Sequence, residues 1–227
     1  MNPEGNVIQF AGEGSTIDVP GWVRDVQSFR RWSDSDGFPQ DRPVWWIDGR
    51  LWIDVTKEQL YTHLMVKAEY YYHLTRVVKE GNLGMFIPDG LLLSNFAAKI
   101  SGNPDGTFLS HETLHSDRVR LLEGARGGIT EVQGSPDMVL EVVSASSVRK
   151  DYDWLRKAYW EADIREYWLV DAREEPVKFE VFRHAPRGYA AARKSDGWVK
   201  SAVFGRSFKL AQRTNDLGHP EFALAVR

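Results

Sequence analysis

The stretch "GSPDMVLEVVSASS", Gly134–Ser147, decides the fold. Its side chains alternate: Asp137, Val139, Glu141 and Val143 share one face, and Met138, Leu140, Val142 and Ser144 the other. Both faces carry large apolar residues, the pattern of a central strand covered on each side. A carboxylate in the middle of such a strand needs a cation, a metal or a raised pKa, because desolvating a lone charge costs several kcal/mol. Glu141 is therefore either half of a structural ion pair or a ligand for a hard metal ion.

Working outward, "SSVRKDYDWLRKAYWEADI" (146–164) carries Trp154, Leu155, Ala158, Tyr159 and Ala162 on one helical face. It leads into "REYWLVDA" (165–172), a second buried strand. Strand, helix and strand over 137–171 form a crossover between parallel neighbours. Upstream, 56–80 has helical spacing through Leu60, Leu64, Ala68, Tyr71, Thr75 and Val78, with Thr56 and Gln59 as a capping box and Gly81 as its end. "LGMFIPDGLLLS" (83–94) and "GTFLS" (106–110) read as strands, and 113–122 as a short strand or turn and strand. "VWWIDGRLWIDV" (44–55) is a hairpin about Asp48-Gly49. Residues 1–43 read as an irregular arm that packs Trp22, Phe29 and Trp32 onto the body, and the segments after 176 as an antiparallel meander. The expected class is α/β, with helix, three strands, helix and strand followed by antiparallel β additions. The expected divisions are an arm at 1–43, a core at 44–185 and a C-terminal β extension at 186–227.

Composition narrows the chemistry. The 227 residues suit one domain with an extension, and the nine tryptophans an aromatic-rich core. The absence of cysteine excludes disulfides, thiolate zinc sites and cysteine nucleophiles. A net charge of −3 gives no global attraction to nucleic acid, so any such contact needs a local patch; Arg118, Arg120 and Arg126 are candidates. No window reaches the ~20 apolar residues of a membrane span, and a cytoplasmic location is the expectation. Neither a phosphate-binding glycine loop nor a G-x-S-x-G elbow occurs.

A shared metal needs a second carboxylate, and three Pro-Asp pairs supply Asp89, Asp105 and Asp137. Asp137 lies about 13 Å from Glu141 along an extended strand, too far to chelate the same ion. It reads as a strand-start residue. Asp89 and Asp105 each sit in Pro-Asp-Gly, a turn signal in its own right.

The combination of "NPDGTFLS" (103–110), "GSPDMVLEVVSASS", Asp151, Tyr159 and "REYWLVDA" resembles the PD-(D/E)xK restriction-endonuclease-like superfamily, and within it the Uma-two-type endonucleases. The resemblance covers roughly residues 44–185. It implies a restriction-endonuclease-like core that hydrolyses DNA phosphodiesters, with Asp105 and Glu141 as ligands for Mg²⁺ or Mn²⁺. It also implies DNA as partner and a homodimer as an arrangement common among enzymes that cut both strands. Val143 stands where the parent motif has lysine, and Leu155 where the family often has a replacement lysine, four residues after the position matching Asp151. Lys150 and Lys157 flank it on the polar side of the helical wheel, and Lys150 is the catalytic lysine expected here. His63 falls where the family often has a histidine, and by its place at the edge of the apolar face reads first as a packed, hydrogen-bonded one. Asp151 suits a helix first turn or the site, and Glu69 lies on a polar face.

Two other classes stand beside this reading. One is a nuclease-fold module that binds nucleic acid or a protein partner without cutting, suggested by Val143 and Leu155. The other is a zinc hydrolase, because His111-Glu112-Thr113-Leu114-His115 matches H-E-x-x-H. That pattern requires a helix and a third ligand, and the surrounding Ser, Thr and Asp residues do not favour a helix.

Overall fold

The computed structural model describes residues 8–12, 15–40, 42–54 and 56–227. The chain opens with a hairpin of β1 (Ile8–Gly12) and β2 (Ser15–Val19), then helix α1 (Val26–Ser33), capped by Asp25 and Ser28 in a reciprocal box. The irregular arm expected over 1–43 is thus corrected: Phe29 and Trp32 are buried, but on a helix, and Trp22 is 43% exposed. Residues 1–7, 13, 14 and 41 of that expectation lie outside the described residues. Apolar spacing in "VQSFRRWS" explains the helix, since Val26, Phe29 and Trp32 recur at three residues and face Val44 and Trp46.

β3 (Val44–Ile47) and β4 (Arg50–Ile53) form the expected hairpin, with positive φ at Asp48 and Gly49. Residue 55 lies outside the described residues. A π-helical turn, Leu60–Met65, then runs into α2 (Val66–Gly81). The cap is Gln59, whose side chain accepts from Thr62 N at 2.9 Å, while Thr56 bonds Asp54, so the Thr56 capping box does not form. The buried stripe also differs from the expected one. It runs through His63, Val66, Lys67, Tyr70, Leu74, Val77 and Val78, leaving Leu60 and Leu64 exposed. Two of its members are polar, which conceals the stripe from hydropathy.

The expected strand at 83–94 is two strands in different sheets, β5 (Gly84–Pro88) and β6 (Leu92–Asn95), parted by the Pro88-Asp89-Gly90 turn. β7 (Ile100–Gly102) and β8 (Gly106–Ser110) follow, then the single-turn α3 (His111–Leu114), β9 (Val119–Glu123), β10 (Ile129–Gly134) and β11 (Met138–Val142). A second π-helical turn, Lys150–Leu155, enters α4 (Arg156–Glu161), and β12 (Glu166–Asp171), β13 (Lys178–Arg183) and β14 (Ala190–Ala191) complete the middle of the molecule. The C-terminal meander is β15 (Lys194–Ser195), β16 (Trp198–Lys200), β17 (Ser207–Thr214) and β18 (Pro220–Val226).

The fold is mixed α/β with mixed sheets. The central sheet has the order β14-β13-β12-β11-β8-β5; β11 pairs parallel with β12 and antiparallel with β8. A second sheet, β4-β3-β7-β6-β10-β9, carries the hairpin. β11 divides the core as its alternation dictates: Met138, Leu140 and Val142 pack with α2 and the C-terminal strands, whereas Val139 and Val143 pack with Leu155, Ala158 and Tyr159. Glu141 enters this second face. Gly102 has no room for a β-carbon against the Trp45 indole, which lets the hairpin sit close to the cleft. Among the described residues, no helix is long and apolar enough to cross a membrane.

Candidate functional site

Continuing the antiparallel register of β11 and β8 one step beyond Leu140 opposite Gly106 sets Asp105 beside Glu141. Both side chains line one cleft, together with Trp45, Trp52, Asp54, Glu58, His63, Asp89 and Lys150. Asp105 Oδ2 accepts the Val142 amide at 2.7 Å, which fixes the carboxylate at the strand end. Its Oδ1 lies 3.2 Å from Lys67 Nζ. Glu141, 2% exposed, accepts from the Tyr159 hydroxyl at 2.6 Å and faces Lys150 Nζ at 3.4 Å.

Lys150 is not the solvated lysine that a regular helical wheel gives. It is 5% exposed, 2.7 Å from Asp151 Oδ1, and its ammonium lies over the Trp45 and Trp52 rings at 4.6 and 4.8 Å. The π-helical turn that begins at Lys150 breaks the 3.6-residue repeat, so both Lys150 and Asp151 turn inward. Lys157 remains outside, with a 62% exposed side chain near Asp48 and Glu161. Asp151 stands in the first turn of the Lys150–Leu155 segment, and it is buried there, accepting from the Ser147 hydroxyl.

Burial pushes the Glu141 carboxyl well above its usual range; Lys150 opposes this, and Asp105 and Asp151 add to it. Burial likewise raises Asp151. Burial works to lower the Lys150 pKa, but Asp151 and Glu141 outweigh it, so the ammonium stays charged. The cleft therefore holds a persistent cation between two carboxyl groups.

His63 belongs to the cleft rather than to the apolar core alone. Its Nε2 donates to the Val142 carbonyl at 2.9 Å and lies 3.9 Å from Asp105, while Nδ1 is 3.6 Å from Glu58. Lys67, one turn on, carries no signal in a motif, yet its Nζ meets Asp89, Glu58 and Asp105. A lysine on the buried stripe of α2 was the available sequence signal for it. Asp89 thus reaches the cleft mouth from its turn.

Other candidates lie elsewhere. Asp137 is buried and accepts from Ser110 N, Thr113 Oγ1 and Arg165 Nη1. Glu69 accepts from Leu224 N at 2.7 Å and pairs with His73, tying α2 to the C-terminal strands. Arg118 pairs with Asp163 and Arg126 with Asp36, while Arg120 is exposed on β9. His111 opens a four-residue helix and His115 caps its end, with ring centroids 6.3 Å apart; His115 bonds the His111 carbonyl and Glu112 bonds Arg165.

Among the described residues, no group of three or more His, Asp or Glu is gathered tightly enough to hold an ion. The Asp105 and Glu141 donors nevertheless fit a hard divalent cation in kind: they are oxygens, and Mg²⁺ often takes one or two carboxylates and completes its shell with water and phosphate.

The Uma2 family model, described as "Putative restriction endonuclease", matches residues 26–212. A solved structure described as "a putative nuclease belonging to DUF820 from Anabaena variabilis ATCC 29413" is similar at a TM-score of 0.56 and 16% identity, covering 80% of this chain and 90% of that chain. At that identity the likeness shows a shared fold. No curated protein matches the chain.

Proposed function

Because the chain belongs to the Uma2 family, described as "Putative restriction endonuclease", we propose that it is a metal-dependent endonuclease that hydrolyses DNA phosphodiesters on a restriction-endonuclease-like core. The core is read as α2, then β5, β8 and β11, then α4 and β12, all three early strands lying in one sheet with β12. One observation carries the reading: the carboxylates of Asp105, immediately before β8, and of Glu141 on the neighbouring β11 line a single cleft with the Lys150 ammonium.

In this reading Asp105 and Glu141 hold Mg²⁺ or Mn²⁺, which when bound supplies a Lewis acid for the phosphate and lowers the pKa of water. The protein's own groups do the rest. Asp151 keeps Lys150 protonated, so Lys150 acts as a fixed positive charge for the phosphate oxygens and not as a base. Trp45 and Trp52 hold that charge in place while shielding it from water. The Tyr159 hydroxyl keeps Glu141 Oε1 oriented. His63, bonded to the Val142 carbonyl, anchors the strand end from which Asp105 also hangs. Supercoiled plasmid incubated with Mg²⁺ or Mn²⁺ should be nicked or linearised, and Asp105→Ala should abolish this. No cleavage with either ion, or cleavage unaffected by the substitution, overturns the reading.

One observation favours a second reading, a module that binds nucleic acid or a partner without cutting. Asp105 and Glu141 already meet protein donors on both oxygens: Val142 N and Lys67 for the first, Tyr159 and Lys150 for the second. Retention of DNA on a filter without cleavage, and without a metal that co-purifies, separates the two.

A further inference from the structure

Lys67 is a second buried cation of the cleft, and no motif requires it. It sits one turn after His63 on the buried stripe, 5% exposed, with its ammonium 2.8 Å from Asp89, 3.1 Å from Glu58 and 3.2 Å from Asp105. The three partners come from separate places: the segment before the first π-helical turn, the turn between β5 and β6, and the start of β8. They differ in burial. The Asp105 side chain is 13% exposed, whereas those of Asp89 and Glu58 are 40% and 41% exposed.

We propose that Lys67 is a resident cation that competes with a divalent ion for Asp105 and thereby sets how tightly this chain binds its metal. The inference rests on the endonuclease reading above, in which Asp105 is a metal ligand. Asp105 Oδ2 is committed to the Val142 amide, so Oδ1, the oxygen facing Lys67, is the one with its interaction open to exchange. An ion seated there stands within a few Å of a like charge, which opposes binding strongly in a partly dry cleft. Glu58 and Asp89 give the ammonium somewhere to go. Released from Asp105, it keeps two carboxylates at the mouth and is never left buried and unpaired. A purely structural tie would behave in the opposite way, since its removal would loosen Asp105 and weaken a metal site.

Isothermal titration with Mn²⁺ distinguishes the two on the full chain, using wild type, Lys67→Met, Lys67→Gln, Lys67→Arg and Asp105→Asn. The neutral variants should bind about tenfold more tightly than wild type. Lys67→Arg, which keeps the charge, should show no such tightening, and Asp105→Asn should lose the site. Neutral variants that bind equally or more weakly overturn the inference, while wild-type binding that Asp105→Asn abolishes leaves the endonuclease reading standing. Absence of binding in wild type and neutral variants alike overturns both. Should the neutral variants fail to fold, the Lys67 side-chain ¹⁵N signal in wild type, identified through Lys67→Arg, should shift as Mg²⁺ is added. A signal that stays fixed while Mg²⁺ binds overturns the inference.

Discussion

The two ends of β11 carry buried carboxylates four residues apart, and they live in opposite electrostatic worlds. At one end Asp137, 1% exposed, is saturated by donors that belong to the fold: the Ser110 amide at 2.6 Å, the Thr113 hydroxyl at 3.0 Å and the Arg165 guanidinium at 2.8 Å. At the other, Glu141 is 2% exposed and has one hydroxyl and one shared ammonium, with Asp105 and Asp151 close enough to push its pKa up. Equal burial on one strand therefore says little about role. What separates the two is whether the neighbours are donors fixed by the fold or further acids competing for the same cations. The first arrangement holds a strand to a short helix and a loop; the second leaves a carboxylate that a new cation could satisfy.

The largest expected effect breaks the comparison at the Glu141 end. Glu141→Gln and Asp105→Asn should each lower plasmid cleavage by at least ~10³-fold, roughly 4 kcal/mol of barrier, with the chain still folded by circular dichroism. Cleavage retained within tenfold in either variant removes that residue from the site. Next comes Asp137→Ala, which leaves the Thr113 hydroxyl and the Ser110 amide without their acceptor and Arg165 with Glu112 alone. Chemical denaturation should show a loss of about 3 kcal/mol. Cleavage per folded molecule should stay within about twofold of wild type. A stable Asp137→Ala protein that no longer cuts would make the two ends of β11 alike after all.

The contrast was only half legible in the sequence. Alternation in "PDMVLEVV" put Glu141 on the buried face of a central strand, and chain distance kept Asp137 apart from it; the core packing on either side of β11 follows that alternation. Hydropathy could not find Lys67, because a face that contains His63 and Lys67 does not read as apolar even though it is buried. Nor could a regular wheel orient Lys150, since a π-helical turn widens the repeat at that residue. The same limit hid helix α1, whose three apolar anchors lie in a stretch rich in Asp, Ser and Arg, and β10, where Glu131 and Val132 are the only buried residues.

A smaller effect sharpens the comparison through the cation. Lys150→Met should reduce cleavage ~100-fold by removing a fixed charge from the phosphate's surroundings. Lys157→Met, whose side chain is 62% exposed, should change it by no more than about twofold. Equal losses from the two lysines would mean that both act through the general field of the helix and neither through contact.

The smallest effect concerns stability and runs against intuition for a buried ion pair. Glu141 has a pKa raised well above 4.5 in the folded protein by burial, and by Asp105 and Asp151 against the pull of Lys150. Between 4.5 and the folded value the native state therefore keeps a proton that the unfolded chain has released. By linkage, that makes wild-type stability fall as pH rises through this window. Glu141→Gln has no such proton to keep, and it leaves no orphaned charge, because Lys150 retains Asp151 at 2.7 Å. In the presence of a chelator the variant should match wild type below pH 4.5 and exceed it by about 1 kcal/mol near neutrality. The same pair of melts for Asp137→Asn should never favour the variant, since its donors are arranged for a carboxylate that the fold has already paired. A Glu141→Gln protein less stable than wild type at neutral pH would show that Glu141, like Asp137, is held in place as a structural anchor.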